Sequence, residues 1–230
     1  ALSVILQFVQ LVRTIRNRSQ RSAKLEYELL QSRIAVMLSQ IQPHFLFNTL
    51  NDIRFLYRES PAQAEEALVS FTRYLRSNMD SLTQTDLIPF GQELSHVQNY
   101  INIEKIRFGD RLKVDYAIAC TQFFIPVLTV QPLVENAIRH GVTKKREGGT
   151  VTIRTFEDAR GFVIEVCDDG VGFDPALPGC DGQMHTGILN VRTRLQNMCG
   201  GSLEIASCPG KGTTSIVRIP KEHHHENTGD

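Results

Sequence analysis

Apolar residues recur in steps of three and four at Tyr27, Leu30, Ile34, Met37 and Ile41, and the next position in that register is His44. This is the pattern of a coiled-coil seam. A second stripe, Leu46, Leu50, Ile53 and Tyr57, follows on the opposite side of the same predicted helix. A helix that is apolar on two sides needs two neighbours, as in a bundle. Pro43 removes one backbone donor and predicts a bend just before the histidine. Glu59-Ser60-Pro61 ends this helix, and Pro61 suits the first position of the next, whose face carries Ala64, Leu68, Phe71 and Leu75. The two predict a helical hairpin, too thin to bury both stripes alone and so expected to dimerise into a four-helix bundle.

Residues 81–89 read as a linker, and Gly91 to Phe108 as a helix stopped by Gly109-Asp110. Beyond this point the period changes from helical to alternating. Leu112–Ile118, Val151–Phe156, Ser202–Ala206 and Thr214–Ile219 alternate like strands, and Phe162–Val166 is short, apolar and rich in β-formers. Helical patterns stand between them at about 127–141 and 188–199. The order strand, helix, strand, strand, turn, helix, strand, strand predicts a two-layer α/β sandwich with a mixed sheet. The whole is thus an α+β chain. Its expected divisions are a juxtamembrane helix at 1–24, the hairpin at 25–88, the sandwich at 89–220 and a polar tail at 221–230.

Charge and cysteine content narrow the partners. Lysine plus arginine number 25 and aspartate plus glutamate 25, so no global field favours nucleic acid. Five cysteines, odd in number and with no CxxC pair, read as reduced thiols. Nine of residues 1–12 are apolar, and Arg13, Arg16, Arg18, Arg21 and Lys24 follow before any acid. Twelve residues fall short of the roughly 20 that span a bilayer. An apolar run ending in positive charge is nevertheless how a membrane helix leaves on the cytoplasmic side, so a truncated membrane exit is the expectation here. The alternative is a soluble amphipathic helix. His223, His224 and His225 lie in the polar tail and read as incidental.

Four clusters carry candidate chemistry. The first is Gln42-Pro43-His44-Phe45-Leu46-Phe47-Asn48. A neutral imidazole is a nucleophile that can take up a phosphoryl group, and Asn48, one helical turn on, could orient water or that group. Alternatively, each is a seam or packing residue. The second is Glu135-Asn136-Ala137-Ile138-Arg139-His140-Gly141. The amide oxygen of Asn136 suits magnesium bridging ATP phosphates, and Arg139 and His140 follow one turn later where donors would meet phosphate oxygens. Glu135 is a candidate for the metal shell or for the base that accepts the imidazole proton. The third is Asp168-Asp169-Gly170-Val171-Gly172: a carboxylate at Asp168 can accept from the exocyclic amine of adenine, while Gly170 and Gly172 let the backbone approach a planar ring. The fourth is Gly210-Lys211-Gly212-Thr213, a second tight turn, in which Lys211 is either a solvated turn residue or a phosphate ligand. Residues 173–186 are rich in turn formers and predict a mobile lid. The helix expected from Ile188 would leave free N–H groups after Gly187 where phosphate could sit.

In this order the clusters resemble the LytS-type family of sensor histidine kinases, over residues 25–220. The Pro-His-Phe-Leu-Phe-Asn core is the most specific element, and the later boxes resemble the Bergerat ATPase fold shared with gyrase and MutL. The resemblance implies ATP-dependent phosphorylation of His44, with Mg2+ held at Asn136 and ATP bound by Asn136, Arg139, His140, Asp168, Gly170, Gly172, Gly187, Gly210, Gly212 and Thr213. It implies transfer onward to an aspartate of a response regulator with a LytTR-type DNA-binding domain. It also implies a homodimer on the cytoplasmic side of the membrane. Three positions depart from the family's pattern: Phe45 where an acid commonly follows the histidine, Asp169 where Asn is common, and His185 where a glycine is usual. An ATP-dependent dimeric clamp, or a degenerate kinase serving as a scaffold, are the alternatives.

Overall fold

The computed structural model describes Lys24 and residues 43–81, 84, 86–174 and 181–221, without the side chains of residues 43, 44 and 181–186. The apolar run 1–12, the seam 27–41 and the three tail histidines lie outside the described residues. The chain divides into two compact units, residues 1–48 and 49–230. Helix α1 runs Pro43–Glu59 and α2 runs Pro61–Asp80, with Ser60 alone between them. After them come strand β1 (Leu87–Pro89), helix α3 (Phe90–Phe108), and strands β2 (Leu112–Ile118) and β3 (Phe124–Pro126). Helix α4 (Gln131–Asn136) continues as a single π turn, Ala137–Gly141, and a 3-10 turn, Val142–Lys144. Strands β4 (Gly149–Asp158) and β5 (Gly161–Asp168), helix α5 (Asp181–Cys199), and strands β6 (Ser202–Cys208) and β7 (Gly212–Pro220) complete the chain.

The five-stranded sheet has the order β2-β4-β5-β7-β6. Only β2 and β4 are parallel, and every other pair is antiparallel, so the sheet is mixed as expected. Its alternation follows directly from the pleat. Val151, Ile153 and Thr155 of β4, Ile164 and Val166 of β5, and Ser215, Val217 and Ile219 of β7 are buried. Val97 and Ile101 of α3, Leu133 and Val134 of α4, Ile138 of the π turn, and Val191 and Leu195 of α5 supply the helical layer above them. At the Gly161–Pro220 end of the sheet, Phe90, Phe123 and Phe162 stack at centroid spacings of 4.8 Å and 4.8 Å. That column fastens the two-stranded β1–β3 ribbon, which the alternation did not predict, to the sheet edge. Truncating a fully buried ring such as Phe123 would destabilise the domain by about 3–5 kcal/mol.

Helix α2 packs on α3, and among the described residues this is the dominant helix pairing. The reason lies in the stripe that α2 buries: Ala64, Ala67, Phe71, Tyr74 and Asn78, a three-four spacing offset from the one expected. Tyr74 meets Tyr100 of α3 at a centroid distance of 5.9 Å. Leu68 and Val69 are left 50% and 43% exposed, and on α1 Leu50, Phe55 and Tyr57 are 50%, 66% and 73% exposed. No helix among the described residues is long and apolar enough to cross a membrane.

Candidate nucleotide-binding site

Asp168 closes β5, where the last sheet register pairs it with Thr213 of β7 and Val151 of β4. Its carboxyl is buried. The amide of Gly170 donates to its Oδ1 at 2.9 Å. Three glycines enclose it. A β-carbon on Gly141 would stand 2.3 Å from Asp168 Oδ1, one on Gly212 would stand 1.9 Å from the Asp168 carbonyl oxygen, and one on Gly170 would stand 2.2 Å from the carbonyl carbon of Gly141. No side chain fits at any of these points. Gly172, at φ 59°, turns against Cys208, whose carbonyl oxygen would lie 2.1 Å from an added β-carbon. Backbone bonds tie the turns together: Val171 N–H donates to Gly141 O at 3.4 Å, and Gly210 N–H to Val171 O at 2.6 Å. The structure therefore brings the second, third and fourth sequence clusters to one end of the sheet. The resulting cradle, shaped by absent side chains around one carboxylate, fits a flat group that offers an amine.

Burial pushes the Asp168 carboxyl up to about 6, against the opposing pull of the Gly170 and Thr213 amides. It is therefore mainly ionised at neutral pH and able to accept hydrogen bonds. Asp169, its neighbour just past the end of β5, is engaged elsewhere. Its Oδ1 accepts the amide of Thr150 at 2.8 Å, and the Lys145 ammonium donates to its carbonyl oxygen. Asp169 thus fastens the start of β4. Ser207, which the sequence did not mark, is a hub of the fourth cluster. It accepts from Phe173 N–H at 2.9 Å and donates to Gly212 O at 3.1 Å, and it lies 3.0 Å from Thr213 Oγ1. Lys211 is exposed in its turn.

Asn136 is the last residue of α4 and is half-buried. The following π turn carries Arg139 exposed and His140 half-buried before Gly141 goes under Asp168. A π turn needs five residues where an α turn needs four, so Arg139 is rotated off the face that a regular helix would give it, and Gly141 is brought in. Burial, together with the charges of Arg139 and Lys144, holds the His140 imidazole below its usual range and so neutral. Glu135 is engaged at the rear. Its Oε1 accepts from Gln131 Nε2 at 2.9 Å, with the Tyr74 hydroxyl of α2 at 3.5 Å. Burial raises its carboxyl to about 7, and the same is true of nearby Glu104.

Helix α5 begins at Asp181, not at Ile188. Gly187 stands inside it, exposed, with nothing within 4 Å of an added β-carbon. The expected free amides after Gly187 are therefore corrected: the helix continues backward because Gln183 and Met184 are good helix formers and no proline interrupts them. Residues 175–180 of the expected lid, and the side chain of His185, lie outside the described residues. The backbone of His44 is in the first turn of α1, and its side chain is likewise outside them. Asn48 is half-buried, and Phe45 is 7% exposed. Cys120, Cys167, Cys199 and Cys208 are free thiols.

Two family models match the chain: "Histidine kinase" over residues 32–112, and "Histidine kinase-, DNA gyrase B-, and HSP90-like ATPase" over residues 126–223. The chain is similar to the YwpD protein of Bacillus subtilis (strain 168), with 39% identity over 202 residues that make up 85% of this chain and 72% of that protein. It is also similar to Sensor protein LytS of the same organism, with 32% identity over 218 residues, covering 89% of this chain but only 36% of LytS. Among solved structures it resembles the histidine kinase domain from Erythrobacter litoralis EL346 blue-light activated histidine kinase, with a TM-score of 0.50 at 20% identity, covering 84% of this chain and 95% of that one. That likeness shows the fold. With the cradle around Asp168 inside the second matched region and His44 inside the first, the chain belongs to the family of protein histidine kinases, in its LytS-type branch.

Proposed function

We propose that this chain is the transmitter part of a two-component sensor kinase, which binds ATP in the α/β domain, phosphorylates itself on His44 and passes the phosphoryl group to an aspartate of a response regulator. The observation that carries this reading is the Asp168 cradle: a buried, ionised acceptor between glycines that leave no room for any side chain. Such a carboxylate accepts from the exocyclic amine of adenine, which guanine does not offer at that position. Asn136 would hold Mg2+, which neutralises phosphate charge when bound. Arg139, exposed beside it, offers a guanidinium to phosphate oxygens, and the neutral His140 offers an N–H. Gly210, Gly212 and Thr213 close the cradle from β7. Phosphoryl transfer asks a protein chiefly to position and neutralise, and this set of residues does both.

The role of Asn48 is to orient water or the phosphoryl group one turn from His44. Phe45 is buried and cannot titrate, so the proton leaving the imidazole goes to another group, for which Glu135, at about 7, has the right acidity. The uncovered Leu50, Phe55, Tyr57, Leu68 and Val69 support a homodimer that buries them. The resemblance to LytS supports a regulator of LytTR type and a membrane-anchored parent protein, with this part on the cytoplasmic side. The chain spans 36% of LytS, so signal and partner belong to the longer protein.

The test is incubation with γ-labelled ATP. Protein phosphate that is labile to acid and stable to base is expected, and His44→Gln should lose all of it while binding ATP as before. Phosphate retained on that variant overturns the acceptor, and no phosphate on the parent chain favours the clamp or scaffold. In the same preparations, Asn48→Ala should keep autophosphorylation and lose regulator dephosphorylation. Both activities falling together with melting temperature would make Asn48 a packing residue.

A further inference from the structure

Glu93 lies in the first turn of α3 and is fully buried. Its Oε1 accepts the amides of Val130 at 2.9 Å and Gln131 at 3.2 Å, and its Oε2 accepts that of Leu128 at 3.0 Å. These are the amides that lead into α4. A helix leaves its first N–H groups unsatisfied, and the residue at the cap of α4, Val130, has no side chain able to accept them. A carboxylate from another helix, 35 or more residues back along the chain, supplies the cap. A buried carboxylate is tolerated only when paired, and three amides with the Arg194 guanidinium nearby meet that condition. Leu128 holds the left-handed φ of 56°, unusual for leucine, and is fastened from both sides. Its amide goes to Glu93, and its carbonyl oxygen accepts from Arg194 Nη2 of α5. One carboxylate therefore ties α3, the turn and α4 together, and Arg194 joins α5 to the same turn.

Helix α4 has six residues, and Asn136 is the sixth. The cap residue, Val130, lies about 9 Å from Asn136 along the axis. Over so short a rigid element, a shift at the first residue reaches the last undiminished. We propose that Glu93 is a positioning residue for the metal-dependent part of ATP binding: by capping α4 from α3 it sets the axial register and direction of the helix that presents Asn136. This inference rests on the reading of Asn136 as the magnesium ligand. Glu93 itself touches neither nucleotide nor metal. Most of the adenine side is held by the β5 and β7 turns, and Gly141, the part of it that follows α4, is tied separately to Val171, which separates the two halves of the affinity.

The experiment compares ATP affinity of the 230-residue chain by calorimetry with excess magnesium and with EDTA, for the parent, Glu93→Gln and Asn136→Ala. Glu93→Gln keeps a similar shape but places an NH2 against a backbone amide that needs an acceptor. It should lose about tenfold of the affinity gained from magnesium, with the magnesium-free affinity within about twofold of the parent. Asn136→Ala should lose the magnesium gain altogether. If Asn136→Ala keeps the full gain, the metal reading fails and the inference falls with it. If Asn136→Ala loses the gain and Glu93→Gln does not, the inference alone fails. An equal loss with and without magnesium makes Glu93 a matter of fold stability and also overturns it. Should Glu93→Gln not fold, Glu93→Asp is read by amide hydrogen exchange. Faster exchange confined to residues 130–136, with β5 and β7 unchanged, supports the positioning role, and an unchanged profile refutes it.

Discussion

The two sides of α4 are built on opposite principles. Ahead of it, the Asp168 cradle is made of glycines and backbone amides, and its shape comes from side chains that are not there. Behind it, the support is made of long acids, the buried Glu93 and Glu104 and the half-buried Glu135, reaching between helices with Tyr74, Tyr100 and Gln131. The first kind of wall fails when atoms are added, because nothing can move aside. The second fails when a proton is gained or lost, because its bonds depend on charge. One helix is thus fixed sterically on one face and electrostatically on the other.

The sharpest way to break the steric side is Gly141→Ala. Its φ of -92° is negative, as other residues adopt, and the added methyl acts chiefly through its clash with the Asp168 carboxyl. ATP affinity should fall on the order of 100-fold, since overpacking by one methyl is unfavourable by about 1–3 kcal/mol and here falls on the binding carboxylate itself. Calorimetry checks it, and parental affinity in the variant would mean that the cradle is not the nucleotide site. Next in size is Asp168→Asn, with about a tenfold loss from exchanging a charged acceptor for an amide. Because the Asp168 carboxyl ionises near 6, parental affinity should decline as pH falls from 7 to 5 as the acceptor is protonated. The Asn variant should lack that decline, and a parallel decline in both would assign it to another group.

The smallest effect probes the electrostatic side. Glu135 has its folded-state acidity raised to about 7 from 4.5, chiefly by burial, with Glu93 adding to the rise and Gln131, Tyr74 and Arg139 opposing it. A raised carboxyl favours the folded state while both states are protonated, and that advantage is lost as pH climbs from 4.5 through 7. Glu135→Gln, which cannot ionise, should be more stable than the parent at pH 8 by on the order of 1 kcal/mol and no more stable at pH 5. Denaturant midpoints at the two pH values measure this. A gain of equal size at both would point to packing rather than charge. Loss of autophosphorylation in the same variant would show whether Glu135 also moves a proton.

Much of the steric side was legible in the sequence, because its parts are local. Strand β2 was read at its full extent, Leu112–Ile118, β4 and β7 followed from alternation between one buried and one wetter face, and β5 from its short apolar run. Gly170, Gly172, Gly210 and Gly212 stood out as turns. The electrostatic side was not legible. Glu93 sits among Gln92, Leu94 and Ser95 and looks like any solvated acid in a first turn. The amides it caps lie beyond a strand and a ribbon, and no local pattern announces them. Strands β1 and β3 have three residues each and end in Pro89 and Pro126, too short for a period to register. Gly141 was quoted but not chosen, since only the tertiary fold shows that Asp168 lies against it.

That glycine owes its place to the π turn. An α turn at Ala137–Gly141 would bring the chain round one residue sooner and offer His140, with its imidazole, where the fold requires the bare backbone of Gly141. The segment therefore constrains spelling and counting alike: a chain lacking one residue between Asn136 and Gly141 could keep every named group of the site and still present them out of step. In this stretch, the interval between Asn136 and Gly141 is as much a part of the site as either residue.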